Sequence, residues 1–189
     1  TMMSKIAILK SLIENGSMNI RDVSKKLDID YKNTYNIIMG LHKSNAISLK
    51  RFGKAVSCSV NKTAHRLIYE SEYERRKILL KNANLQILYE KLNEMKFNFV
   101  ALIFGSYSKG KTTRKSDIDV LIISEKNREK EIDGKISLLP LPIHATYLTL
   151  EEFTKMSKSK EFTVVAEVMK SNVILVGIED YYRLIENVR

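Results

Sequence analysis

The sequence predicts a mixed α+β protein built in two parts, and three observations lead there. Residues 1–46 carry three stretches of helical apolar spacing, followed by two alternating runs around a Phe-Gly turn. Residues 99–104 and 120–123 are short, wholly apolar runs of buried-strand type, separated by a polar, Gly-containing loop. Charge is unevenly divided. Of the net +10, residues 1–82 hold 16 Lys/Arg against 7 Asp/Glu, whereas residues 83–189 hold 16 against 15. A chain of 189 residues fits one domain or two small ones, and the asymmetry favours two with different tasks.

Within the first part, Ile6, Leu9, Leu12 and Ile13 fall on one helical face, and Asn15-Gly16 stops that helix. Asn19 or Ile20 opens a second helix, which carries Val23 and Leu27 and ends near Asp28. Asp30 is an N-cap for a third, with Thr34, Ile37, Ile38 and Leu41 inward and Asn45 as C-cap. Residues 47–60 alternate around Arg51-Phe52-Gly53-Lys54, a hairpin pattern. Three helices and a basic hairpin, with the phrase IRDVSKKLDIDYKNTYNIIMGL over 20–41, resemble the winged helix-turn-helix domains of bacterial and archaeal regulators. That resemblance, over residues 4–60, implies a third helix in the DNA major groove. Its outward face carries Lys32, Asn33, Tyr35, Asn36 and Lys43; Asn can read adenine, and Lys guanine or phosphate. Lys50, Arg51 and Lys54 at the wing tip suit the DNA backbone or minor groove. The basic excess is the footprint of double-stranded DNA, with a winged helix serving protein contact as the alternative. Such domains usually bind as dimers, which makes a homodimer one option, although the sequence shows no interface.

Residues 62–95 lack Gly and Pro and are helix-permissive. They read as a connecting helix over about 63–80, a break near residues 82–84, and the first helix of the second part. The run from Glu70 to Lys77 reads as a solvated helix face. The expected organisation is therefore a first domain over 1–62, a connecting helix over 63–83 and a second domain over 84–189.

The densest signal is GSYSKGKTTRKSDID over residues 105–119. A Gly-Ser turn ends one apolar strand, and two carboxylates, Asp117 and Asp119, begin the next. Side chains at i and i+2 of a strand share a face. Both carboxylates thus aim at one point near backbone N–H groups exposed by the turn, as a Mg-nucleotide site requires. Gly105-Ser106 with Asp117 and Asp119 at this spacing resembles the signature of the DNA polymerase beta-like nucleotidyltransferase superfamily, in its minimal branch. The resemblance covers about 84–189, with the motif in 104–123. It implies a small mixed sheet with flanking helices, Mg2+ or Mn2+ held by Asp117 and Asp119, and an NTP triphosphate cradled by Gly105 and Ser106. Lys109 and Lys111 are the nearby cations expected to neutralise phosphate, ahead of Arg114 and Lys115.

Beyond the motif, residues 125–135 read as a charged helix or loop with a turn at Asp133-Gly134, and 143–149 as a third strand. Helices follow from Leu150 and over 162–170, then a short strand at 173–176 and a closing helix at 179–188. The resemblance implies a further aspartate from the third strand, where this chain has none. His144 occupies that place, either as a base near neutral pH or as an ordinary packed or surface histidine. Glu151 or Glu152 would serve if the backbone folds back. Catalysis is thus an open expectation, and nucleotide binding the firmer one.

The resemblance further implies transfer of a nucleoside monophosphate to a small-molecule or protein hydroxyl, one setting being the antitoxin partner of a small helical toxin. The alternative is a transcription regulator whose transferase domain senses nucleotide without turnover. No apolar run approaches the roughly 18 residues of a membrane span. Lys5 and Lys10 interrupt any signal-peptide pattern. The single Cys58 allows no internal disulfide, so a cytoplasmic setting is expected.

Overall fold

Thr1 opens the first helix by accepting a hydrogen bond from the Ser4 amide, and α1 (Met2–Asn15) buries Ile8, Leu9 and Leu12 before Gly16 ends it at φ 72°. The computed structural model describes every residue except Lys54, Arg114, Lys160 and Arg189. These residues divide into two units, Thr1–Glu74 and Arg75–Arg189.

In the first unit a short strand, β1 (Met18–Asn19), leads into α2 (Ile20–Leu27). The Asn19 side chain accepts from the Asp22 amide, and Asp28 closes the helix in the left-handed conformation. Asp30 accepts from the Asn33 amide to start α3 (Tyr31–Lys43), whose inner face is Thr34, Ile37, Ile38 and Leu41. Buried Thr34 satisfies its hydroxyl on the Asp30 carbonyl at 2.9 Å, which lets a polar residue sit among aliphatics. Next, β2 (Ile47–Phe52) and β3 (Ala55–Val60) form an antiparallel hairpin, with Gly53 at φ 59° in its turn. β1 pairs with the other edge of β3, giving the order β1-β3-β2. Two residues are too few to carry a periodicity, so β1 was invisible in the sequence. Cys58 of β3 is buried, which pushes its thiol up to about 11.

The helix α4 (Arg66–Leu79) runs across the division between the units. Its charged run is not a solvated face, because Ser71, Glu72 and Arg75 are buried. Composition misleads here because the buried groups have partners. Ser71 donates to the Leu67 carbonyl at 2.7 Å, and the Arg75 guanidinium donates to the Asn172 carbonyl at 2.7 Å.

The second unit continues with α5 (Ala83–Asn93), capped by the Asn82 side chain. In order come β4 (Val100–Ile103), the one-turn helix α6 (Gly105–Ser108) and β5 (Ile118–Ile123). A 3-10 turn over Lys126–Arg128 then leads into α7 (Glu129–Ile136), followed by β6 (Ile143–Leu148) and α8 (Leu150–Lys158). The remaining elements are α9 (Val164–Lys170), β7 (Val173–Val176) and α10 (Ile178–Glu186). The sheet order is β6-β5-β4-β7, with β5 and β6 parallel and β4 antiparallel to both its neighbours. Helix α7 passes through Asp133-Gly134, where a turn was expected. Ile132 and Ile136, one helical turn apart and both buried, outweigh the roughly 1 kcal/mol that a helical glycine costs.

Alternation along the strands sorts the sheet into two faces. Ala101, Ile103, Ile118, Val120, Ile122 and Leu175 join a buried cluster with Leu85, Leu88 and Leu92 of α5 and Ile132 and Ile136 of α7. Asp119 and Leu121 must therefore face the opposite side. No helix among the described residues is long and apolar enough to cross a membrane.

Gly177 joins β7 to α10 at φ 80°, and a Cβ there would stand 2.7 Å from the Phe99 carbonyl oxygen. Gly177→Ala should lower unfolding stability by about 1–3 kcal/mol, since both the left-handed backbone and the close approach are lost. Urea denaturation followed by circular dichroism checks this, and an unchanged midpoint would contradict it.

Candidate nucleotide and metal site

One edge of the second unit's sheet gathers the end of β4 and the starts of β5, β6 and β7. Ile103 is registered against Val120 on one side and Val173 on the other, and Ile118 against Ile143. The ladder continues one bond further, from the Phe104 amide to the Asp119 carbonyl at 3.1 Å. That bond sets Gly105 beside Asp119. Gly105 has φ 66°, and a Cβ on it would overlap the Asp119 carboxylate oxygen Oδ2. Glycine is thus required twice, by the left-handed backbone and by the close approach. The left-handed Gly105 followed by the helical turn of α6 forms the concave backbone shape that receives anions. The N-cap residue Phe104 makes no side-chain hydrogen bond to α6, and half-buried Tyr107 anchors the turn on the core.

The sequence-predicted residues are placed as follows. Asp119 is partly buried and Asp117, just before β5, is exposed. His144 is registered against Asp119 across the parallel pair, with Nδ1 3.9 Å from Oδ1, and its side chain is 83% exposed. It is neither packed in a core nor held by a close hydrogen bond. Lys111 is exposed, its amide bound to the Ser106 carbonyl at 3.0 Å, which folds the loop back onto α6. Lys109 turns to an acidic partner, with Nζ 3.6 Å from Glu167 Oε1 of α9. Arg114 lies outside the described residues, and Lys115 is exposed in the loop.

Two carboxylates considered as substitutes are elsewhere. Glu151 and Glu152 follow the far end of β6, about 13 Å of strand beyond His144 at 3.3 Å per residue. Glu152 is occupied in a capping box, accepting the Thr149 amide at 2.8 Å while its own amide donates to the Thr149 hydroxyl. That amide hydrogen bond holds its carboxyl below the usual range. An open groove of about 780 Å³, lined by Phe99, Ile123, Leu150 and Leu184, also lies at that far edge and includes none of the residues around Asp119.

The residue that sequence reasoning missed is Glu167. Burial pushes the Asp119 carboxyl up, Asp117 and Glu167 push it further, and His144 opposes them. Glu167 thus belongs to the same electrostatic neighbourhood, although 48 positions separate it from Asp119 and no local pattern marks it. The connection is tertiary. The Ser108 hydroxyl meets the Ser171 hydroxyl at 3.1 Å, tying the end of α9 to α6.

Among the described residues no three His, Cys, Asp or Glu side chains stand close enough to hold a metal ion by themselves. A pair of carboxylates at an anion-accepting turn suits Mg2+ all the same, because Mg2+ keeps waters and takes phosphate oxygens instead of filling a protein cage.

In the first unit, Lys32, Asn33, Tyr35 and Asn36 are all exposed on the outer face of α3, as are Lys50 and Arg51 on β2. Lys50 Nζ stands 5.0 Å over the Phe52 ring. Lys54 lies outside the described residues.

The raised Asp119 carboxyl fixes a sign. In the folded chain it holds its proton to higher pH than the value of about 3.9 expected when unfolded, so this group costs stability as pH rises through that interval, and the cost is complete above it. Asp119→Asn should therefore melt higher than the unaltered chain at pH 7.5 in EDTA, with the gap closing towards pH 4. Thermal scans at both pH values check it; a variant no more stable at pH 7.5 would contradict it.

Residues 85–175 match the family model described as nucleotidyltransferase domain. Searches of curated proteins and of solved structures each returned no significant match. The matched segment runs from α5 to β7 and includes Gly105, Asp117, Asp119, His144 and Glu167, so over these residues the second unit is similar to a nucleotidyltransferase domain.

Proposed function

We propose that the second unit binds a magnesium or manganese nucleoside triphosphate at the Asp119 edge and transfers its nucleoside monophosphate to a hydroxyl acceptor. The observation that carries this reading is the Gly105 turn pressed onto the Asp119 carboxylate within the matched domain. Asp117 and Asp119 would hold the metal, which when bound neutralises charge developing on the phosphates. The backbone of Gly105 and Ser106 receives phosphate oxygens, and Lys111, exposed on the folded-back loop, adds positive charge. His144 stands beside Asp119, with Nδ1 3.9 Å from Oδ1, at the place on β6 where a third carboxylate would lie. The absence of any carboxylate on β6 favours a second reading, a domain that senses nucleotide without turnover.

Incubation with ATP labelled at the α-phosphate, Mg2+ or Mn2+, and the full chain separates the two. Transfer predicts release of unlabelled pyrophosphate, abolished by Asp117→Ala with Asp119→Ala. Sensing predicts calorimetric binding without release. Absence of both would overturn the nucleotide reading.

For the first unit we propose a winged helix-turn-helix that binds double-stranded DNA, α3 entering the major groove and the β2–β3 hairpin lying along the backbone. The support is the exposed polar face of α3 and the basic excess of residues 1–82. Binding to a random-sequence duplex, followed by fluorescence anisotropy, should weaken steeply with salt. Lys50→Ala should reduce the slope of log K against log salt by about one if this lysine meets a phosphate. No binding at low salt would overturn this proposal.

A further inference from the structure

We propose that Glu167 of α9 is the group that takes the proton from the attacking hydroxyl, a role that no residue of β6 fills. The inference rests on the nucleotide-transfer reading above and names the residue completing that site. The hydroxyl that attacks the α-phosphate gives up its proton to a group within reach, and Asp117 and Asp119 are assigned to the metal. Four features of the fold bring Glu167 to this place. Asp119 points to the sheet face opposite α5 and α7, because Ile118 and Val120 point into their cluster. Gly105 packs directly against Asp119. Ser108, three residues on, is bound to Ser171 at the end of α9. Lys109, the next residue, reaches Glu167 of the same helix at 3.6 Å.

The Lys109 contact explains how one carboxylate serves both states. Both side chains of the pair are partly exposed, at 47% and 37%, so the ion pair is weak and exchanges readily. A triphosphate arriving at the Gly105 turn offers Lys109 a stronger, multiply charged partner. Lys109 moves to phosphate, and Glu167 is left free beside the reacting centre. In the transfer step the acceptor oxygen forms its bond to the α-phosphorus as the bond from that phosphorus to the bridging oxygen breaks. The electron pair leaves with pyrophosphate, and the hydroxyl proton passes to the Glu167 carboxylate.

The test uses the full chain with Mg-ATP, water and the chain's own hydroxyls serving as acceptors, and follows pyrophosphate release. Binding of the non-hydrolysable analogue with a methylene between the α- and β-phosphates is measured in parallel by calorimetry. Glu167→Gln should cut release by about 10²–10⁴-fold while leaving analogue affinity in place. Glu167→Asp should restore part of the rate, and His144→Ala should cost far less than Glu167→Gln. Release by Glu167→Gln at the unaltered rate overturns the role of Glu167 and leaves the transfer reading standing. Loss of analogue binding in Glu167→Gln overturns it as well, showing a residue that holds substrate. Release that persists in Asp117→Ala with Asp119→Ala overturns the site itself, and no release from the unaltered chain overturns both.

Discussion

The candidate site depends on one contact, the backbone of Gly105 lying against the carboxylate of Asp119. No side chain fits between them, so the turn and the carboxylate are fixed by the same pair of strands. β4 delivers the turn and β5 the carboxylate, joined by the Phe104–Asp119 backbone hydrogen bond. The buried cluster beneath Ile118, Val120 and Ile122 keeps β5 from slipping, because a one-residue shift would turn Asp119 into the aliphatic core. Core packing on one face thus sets the chemistry on the other.

The electrostatics follow from that arrangement. Asp119 is drawn partly out of water, with Asp117 and Glu167 pushing its carboxyl up and His144 opposing them. A divalent cation beside such a carboxylate would relieve burial cost and repulsion together. The site stores unfavourable charge that a metal-nucleotide complex would discharge. Lys109, paired with Glu167, limits that repulsion in the meantime.

Much of the fold was legible in the chain because the signals were local. Asn19, Asp30, Asn82 and Thr149 all cap helices through their own side chains, and the apolar face of α3 follows directly from its spacing. The charged stretch of α4 and the Asp133-Gly134 step in α7 were misread for a common reason. In both, burial decided against the local preference, and burial depends on partners remote in sequence, such as the Asn172 carbonyl that receives Arg75.

The sequence by itself determined the Gly105 turn, the shared face of Asp117 and Asp119 and the basic surface of the first unit, since spacing along one strand or helix places those side chains. It also showed that β6 carries no carboxylate. Only the tertiary structure decided what stands in that gap. Strand register set His144 beside Asp119, the direction of β6 sent Glu151 and Glu152 to the far edge, and the Ser108–Ser171 tie set Glu167 next to Lys109. These relations cross between elements, and no periodicity within one element encodes them.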